Sequence, residues 1–194
     1  MERGLVFRPS SRAGRPRQRI STQFIERMED RLDTIQYYFQ QGKAAFNRQD
    51  YAQAVRYFSQ VIALDPNHAL AYTHRGNTHR QMQNFEAALT DYQQAITLDP
   101  RQVLPYQEQG FTRLALQQYE AALASFGQAI EVNPDKAQAY VGRGTVYAAQ
   151  ENYTKALADF NRAIELDPDL NQGLKGLIEG LIKEFMKMMS KEDE

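Results

Sequence analysis

An all-α solenoid of four helix hairpins is the fold this sequence predicts, and three observations predict it. The phrase Leu64-Asp65-Pro66 returns as Leu98-Asp99-Pro100, Val132-Asn133-Pro134 and Leu166-Asp167-Pro168, with the prolines 34 residues apart each time. Aromatic and small residues fall into fixed columns of the same period. No insertion interrupts it, which marks a stacked array and not a compact domain around a catalytic cleft.

The chain divides in order. Residues 1–19 hold six arginines against Glu2 alone, among Gly4, Pro9, Gly14 and Pro16. That composition cannot bury a core and reads as a disordered basic arm. It suits a solubilising tail, an organelle-targeting segment, or contact with nucleic acid or an anionic membrane through Coulomb attraction. Residues 20–34 form an N-terminal helix, capped by Ser21 or Thr22, with Phe24, Ile25, Met28, Leu32 and Ile35 at helical spacing. The helix runs into, or bends at, the first repeat, and its apolar stripe is expected to cover the open edge of the array.

Residues 35–170 hold the repeats, in the registers 35–68, 69–102, 103–136 and 137–170. Position 4 of each is tyrosine (Tyr38, Tyr72, Tyr106, Tyr140) and position 8 is glycine (Gly42, Gly76, Gly110, Gly144). Position 20 is alanine, and position 24 is aromatic (Phe58, Tyr92, Phe126, Phe160). Glycine inside a helix costs about 1 kcal/mol relative to alanine. Recurring at one position, it implies close approach of two antiparallel helices, with aromatics filling the space around them. Asp50, Asn84 and Asn152 suit the N-cap of each second helix, with Gln118 a weaker equivalent. Pro105 sits in a first helical turn, where a missing N–H is harmless, and is expected to delay that helix slightly. The prolines of the repeated phrase stop the second helices.

Residues 171–194 form a C-terminal capping helix and an acidic tail. Leu174, Leu177, Leu181 and Phe185 dock on the last repeat, covering its open face. Ile182, Met186 and Met189 are left over. They imply either deeper burial or a second contact, to a partner or to another copy of the chain, since methionine adapts to irregular apolar surfaces.

Composition narrows function. The absence of cysteine excludes disulfides, thiolate metal sites and a cysteine nucleophile, and fits a reducing, cytoplasmic location. The net charge of −1 hides an acidic repeat region behind the basic arm. No apolar run is long enough to span a bilayer, and Leu5-Val6-Phe7 is too short for a secretory leader. His68, His74 and His79 lack the spacing of a metal site and read as surface residues. Gly142-Arg143-Gly144 lacks the preceding strand of a phosphate loop. No serine or threonine has an identifiable triad around it. No catalytic residue, cofactor or metal is expected.

The columns of aromatic-4, glycine-8, alanine-20, aromatic-24, alanine-27 and proline-32 resemble the tetratricopeptide repeat over residues 35–168. Position 7 departs from it: Gln41, Arg75, Gln109 and Arg143 stand where that family usually has leucine. The resemblance implies a right-handed α-solenoid whose first helices line a concave groove that binds a partner protein. By this resemblance the groove-facing positions are Gln36, Phe39, Lys43, Phe46 and Asn47, then Leu70, Thr73, Asn77, Arg80 and Gln81. The third repeat supplies Leu104, Gln107, Phe111, Leu114 and Ala115, and the fourth supplies Gln138, Val141, Thr145, Ala148 and Ala149. Phe39, Phe46 and Leu114 have an alternative place in the packing between repeats. A peptide or helix with an apolar side and an acidic end would match this surface. The chaperone-tail clamp of the family is disfavoured, because Phe39, His74, Leu104 and Glu108 stand where it needs lysine, asparagine, lysine and arginine.

Overall fold

The computed structural model describes residues 22–192 and is helical throughout, so Ser21 and the basic arm lie outside the described residues. Helices α1 (Thr22–Asn47) and α2 (Tyr51–Leu64) form the first hairpin, α3 (Ala69–Gln81) and α4 (Phe85–Leu98) the second. Helices α5 (Val103–Ala115) and α6 (Tyr119–Val132) form the third, α7 (Ala137–Ala149) and α8 (Tyr153–Leu166) the fourth. Helix α9 (Leu170–Glu192) follows. Each helix packs on its hairpin mate and on the next element along the chain, the quasi-one-dimensional contact pattern of a solenoid.

The repeated phrase works through its acid as well as its proline. Asp65 Oδ1 accepts from the Asn67 N–H at 3.1 Å, and Asp99, Asn133 and Asp167 accept from the residue two places on in the same way. Each side chain makes an Asx turn across the proline. Aspartate and asparagine supply the same oxygen, which is why Asn133 fits.

The turns inside the hairpins are tighter still. Gln49, Gln83, Gln117 and Glu151 adopt the left-handed conformation, with φ of 64°, 61°, 58° and 58°. The residue after each donates its N–H five places back, as Asn84 does to His79 at 2.9 Å. That is the Schellman closure, made here without glycine. The closing residue is also the N-cap of the next helix. Asp50 and Asn152 accept from Gln53 and Lys155, while Asn84 and Gln118 hold the position without a side-chain bond.

Each position-8 glycine lies against the position-24 ring of its own repeat. A Cβ on Gly42, Gly76, Gly110 or Gly144 would meet Phe58, Tyr92, Phe126 or Phe160 at 2.6–2.9 Å. The rings are fully buried. Close approach therefore accounts for the glycine column.

Two sequence expectations are corrected. Pro105 does not delay its helix: α5 starts at repeat position 1, as α3 and α7 do. The N-terminal segment does not bury its apolar stripe at Met28 and Leu32. Helix α1 runs unbroken for 26 residues, Ile35 is buried, but Met28 and Leu32 are 49% and 60% exposed.

Candidate functional site

Position 7, where the sequence departs from leucine, builds a charged brace. Arg75 donates through Nε and Nη2 to Asp91 at 2.9 and 2.7 Å, and Arg143 binds Asp159 likewise at 2.8 Å for both bonds. Both are forked pairs between the two helices of one repeat, and both carboxylates are nearly buried. The two guanidiniums also lie 5.5 and 5.6 Å from the rings of Tyr72 and Tyr140 at position 4. The carboxylate keeps each guanidinium's proton affinity above the ordinary arginine range.

The groove is built on a different contact, in which position 6 of one repeat meets the position-24 ring of the repeat before. His74 stacks on Phe58 with centroids 5.5 Å apart and planes at 19°. Gly142 lies against Phe126, where a Cβ would sit 2.2 Å from the ring. Glu108 takes this place against Tyr92. The Tyr92 hydroxyl donates to Asn77 Oδ1 at 2.8 Å, and burial, with the Glu108 charge beside it, raises its proton affinity far above a normal phenol.

The expected groove residues divide accordingly. Gln36, Lys43, Asn47, Leu70, Gln81 and Leu104 are exposed, and Phe46, Leu114, Val141 and Thr145 are half-buried. Phe39 and Phe111 stand half in the groove and half in the core, each edge-on to the Phe58 or Phe126 ring at 5.8 and 4.9 Å. Phe46 and Leu114 also pack against core clusters, so packing and lining are shared by the same side chains.

Thr73 and Gln107 are corrections: they are 0% and 2% exposed and cannot meet a partner. Position 5 is buried in those two repeats, and the Thr73 hydroxyl donates to the Ala69 carbonyl of its own helix. Asn77 and Arg80 are half-committed. Asn77 accepts from Tyr92, and Arg80 pairs with Glu108 at 3.0 Å. Burial raises the Glu108 carboxyl above the usual glutamate range despite Arg80 beside it. The groove's second cation is thus neutralised from within, leaving Lys43 as the exposed one among the expected groove residues.

The three histidines are half-buried, and two of them are committed to the fold. His68 Nδ1 accepts from the Ala71 N–H and caps α3. His74 is wedged between Phe39 and Phe58, and burial, then Lys43 and His68, lower its proton affinity. Its unfolded form titrates near pH 6.5, above the folded form, so the unfolded state binds more protons as pH falls. Stability is full above that value and is lost on acidification below it. His74→Phe keeps the aromatic stack and removes this linkage. Between pH 7.5 and 5.5 its urea midpoint is expected to fall less than that of the natural chain. Equal falls would show that His74 does not carry the effect.

Helix α9 docks Leu174 and Leu181 against Phe160, Ala163 and Ala156, while Leu177, expected to dock with them, is 43% exposed. Deeper burial of the leftover side chains is not what forms: Ile182 and Met186 are 42% and 66% exposed. The Met189 side chain lies outside the described residues. Among those residues no helix is long and apolar enough to cross a membrane.

A family model for the tetratricopeptide repeat matches residues 39–103 and 108–171. The chain belongs to the tetratricopeptide-repeat family. No match was found among curated protein sequences. Among solved structures, a crystal structure of MamA is similar with a TM-score of 0.65 and 24% identity, over 83% of this chain and 93% of that one. The TPR domain of Arabidopsis OM64 gives a TM-score of 0.59 at 24% identity, over 61% of this chain and 98% of that one. The first TPR domain of Spaghetti (RPAP3), solved with an HSP90 peptide, gives 0.58 at 21% identity, over 61% and 94%. At these identities the likeness is one of fold.

Proposed function

We propose that the protein is a binding module without catalytic chemistry, holding a segment of a partner protein in its concave groove during complex assembly. The observation that supports this is the pair Leu70 and Leu104. They are large apolar side chains at position 2 of successive repeats, 34 residues apart, and both remain exposed beside half-buried Phe39, Phe111 and Val141. An exposed apolar row on a rigid scaffold is the surface that recognises an extended or helical segment. Lys43 offers a single cation at the N-terminal end. Arg80 is already paired, so an acidic end on the ligand has less to meet than charge alone implies. Glu108, at a position where an acidic-tail clamp needs a cation, instead closes that pair with Arg80 and offers such a tail no donor.

The test is affinity capture from native extract, comparing the natural chain with Leu70→Ser/Leu104→Ser. The double variant is expected to lose at least tenfold of captured partner while its circular dichroism is unchanged. Undiminished capture would move the site off the groove.

A further inference from the structure

Among the described repeat residues, four arginines are drawn into the fold instead of standing at its surface: Arg75, Arg80, Arg113 and Arg143. Three are matched by carboxylates, namely Asp91, Glu108 and Asp159. Arg113 has no carboxylate within ion-pairing distance among the described residues. Its Nη1 donates to the Ser125 hydroxyl oxygen at 2.6 Å and to the Ala121 carbonyl at 3.1 Å. Ser125 occupies position 23, the position at which Asp91 and Asp159 supply the acid in the second and fourth repeats. In the third repeat the cation has moved one turn along α5, and the acid is missing.

The groups around Arg113 do not replace that acid. The buried Ser125 hydroxyl donates to Gln109 Oε1 at 3.1 Å, and Gln109 Nε2 reaches Gln93 Oε1 at 3.5 Å. All of them are neutral. Burial weakens the hold of Arg113 on its proton, yet a guanidinium remains charged in practice. A standing positive charge results.

That charge borders a cleft of about 460 Å³ lined by Leu89, Thr90, Gln93, Gln94, Gln109 and Arg113. Gln109 and Arg113 lie roughly half a helical turn from Gln107 and Phe111 on α5, so the cleft opens away from the concave groove. Its lining offers one fixed cation, two exposed amides and a hydroxyl, and no acid. We propose that this cleft binds a carboxylate, presented by an acidic side chain of a partner protein, with Arg113 as its ion-pair donor. The carboxylate takes the part that Asp91 and Asp159 play for Arg75 and Arg143. A single guanidinium with no lysine in the lining matches one negative charge better than the two of a phosphate.

The probes are the peptide acetyl-Gly-Glu-Gly-amide, its glutamine counterpart and inorganic phosphate. Each is titrated at constant ionic strength into the full isotope-labelled chain, with side-chain N–H signals of Arg113, Gln93 and Gln94 followed by NMR. The glutamate peptide is expected to give saturable shifts at these three residues, and the glutamine peptide none. Ser125→Asp supplies the missing acid from inside and is expected to weaken binding at least tenfold; Arg113→Gln should do the same where that variant fails to fold. Equal response to both peptides, retained binding in a folded variant, or tighter binding of phosphate than of the glutamate peptide would overturn the assignment.

Discussion

Gly142→Ala is expected to lower the free energy of unfolding by about 2–3 kcal/mol and to loosen the fourth repeat ahead of the others. The added Cβ would lie 2.2 Å from Phe126 Cε1 and 2.4 Å from Cζ, against a normal carbon contact of about 3.5–4 Å. The ring cannot step aside. Gly110 of its own repeat closes on its atoms from another side, with a built Cβ at 2.8 Å, and Phe111 packs edge-on at 4.9 Å. Alanine's better helix propensity returns about 1 kcal/mol, which is smaller than the overpacking it causes. Since repeats touch only their neighbours, the strain falls on the seam between α6 and α7. Hydrogen exchange should show α7 to α9 opening at lower free energy than α1 to α5. Adding Phe126→Leu makes room for the methyl group, so the double variant should lose less than the two single losses combined. Strict additivity, or uniform loosening along the chain, would sink this account.

Asp91→Ala should cost about 3 kcal/mol, measured from urea unfolding, because it strands the Arg75 guanidinium among α2, α3 and α4. Removing the nearly buried carboxylate of this forked pair leaves a partly desolvated charge with only the Tyr72 ring and the Ser59 hydroxyl to offset it. Arg75 also donates to Ser59 of the preceding repeat at 3.1 Å, so the brace spans two hairpins. Arg75→Leu/Asp91→Leu removes both charges and restores the leucine usual at position 7. It is expected to be near neutral, since a well-packed apolar pair often equals a buried ion pair in stability. A single change as mild as the double would show that the pair is worth little, as exposed pairs are.

The sequence reading and the structure agree on the glycine column, whose role depends on its own repeat, though not on Pro105, whose helix starts undelayed. Gly42, Gly76, Gly110 and Gly144 each face the aromatic sixteen places on, a distance spanned by one hairpin, so a column of glycines beside a column of rings can be read directly. For Asp65 and its counterparts the sequence shows only the recurring phrase, and the Asx turns they make come from the structure. Roles that depend on the next repeat were not legible. Gly142 stood out in the sequence as an unlikely phosphate loop, and His74 as an unlikely metal ligand and a residue that does not fit the chaperone-tail clamp. Each in fact fills the space against the ring of the preceding repeat. The Arg–Asp braces left a signal that could have been found: position 7 is arginine in the two repeats where position 23 is aspartate. The groove was partly legible. Lys43, Leu70 and Gln81 are exposed as expected, whereas Thr73 and Gln107 are covered.

By itself, then, the sequence determined the repeat period, the all-helical solenoid and the family, because a strict period repeats the same local instruction four times. Only the tertiary structure decided which groove positions are open, and that Arg80 is neutralised while Arg113 is not. The reason is physical. Exposure and charge balance at a given residue depend on side chains contributed by a neighbouring helix, at positions where the four repeats differ from one another.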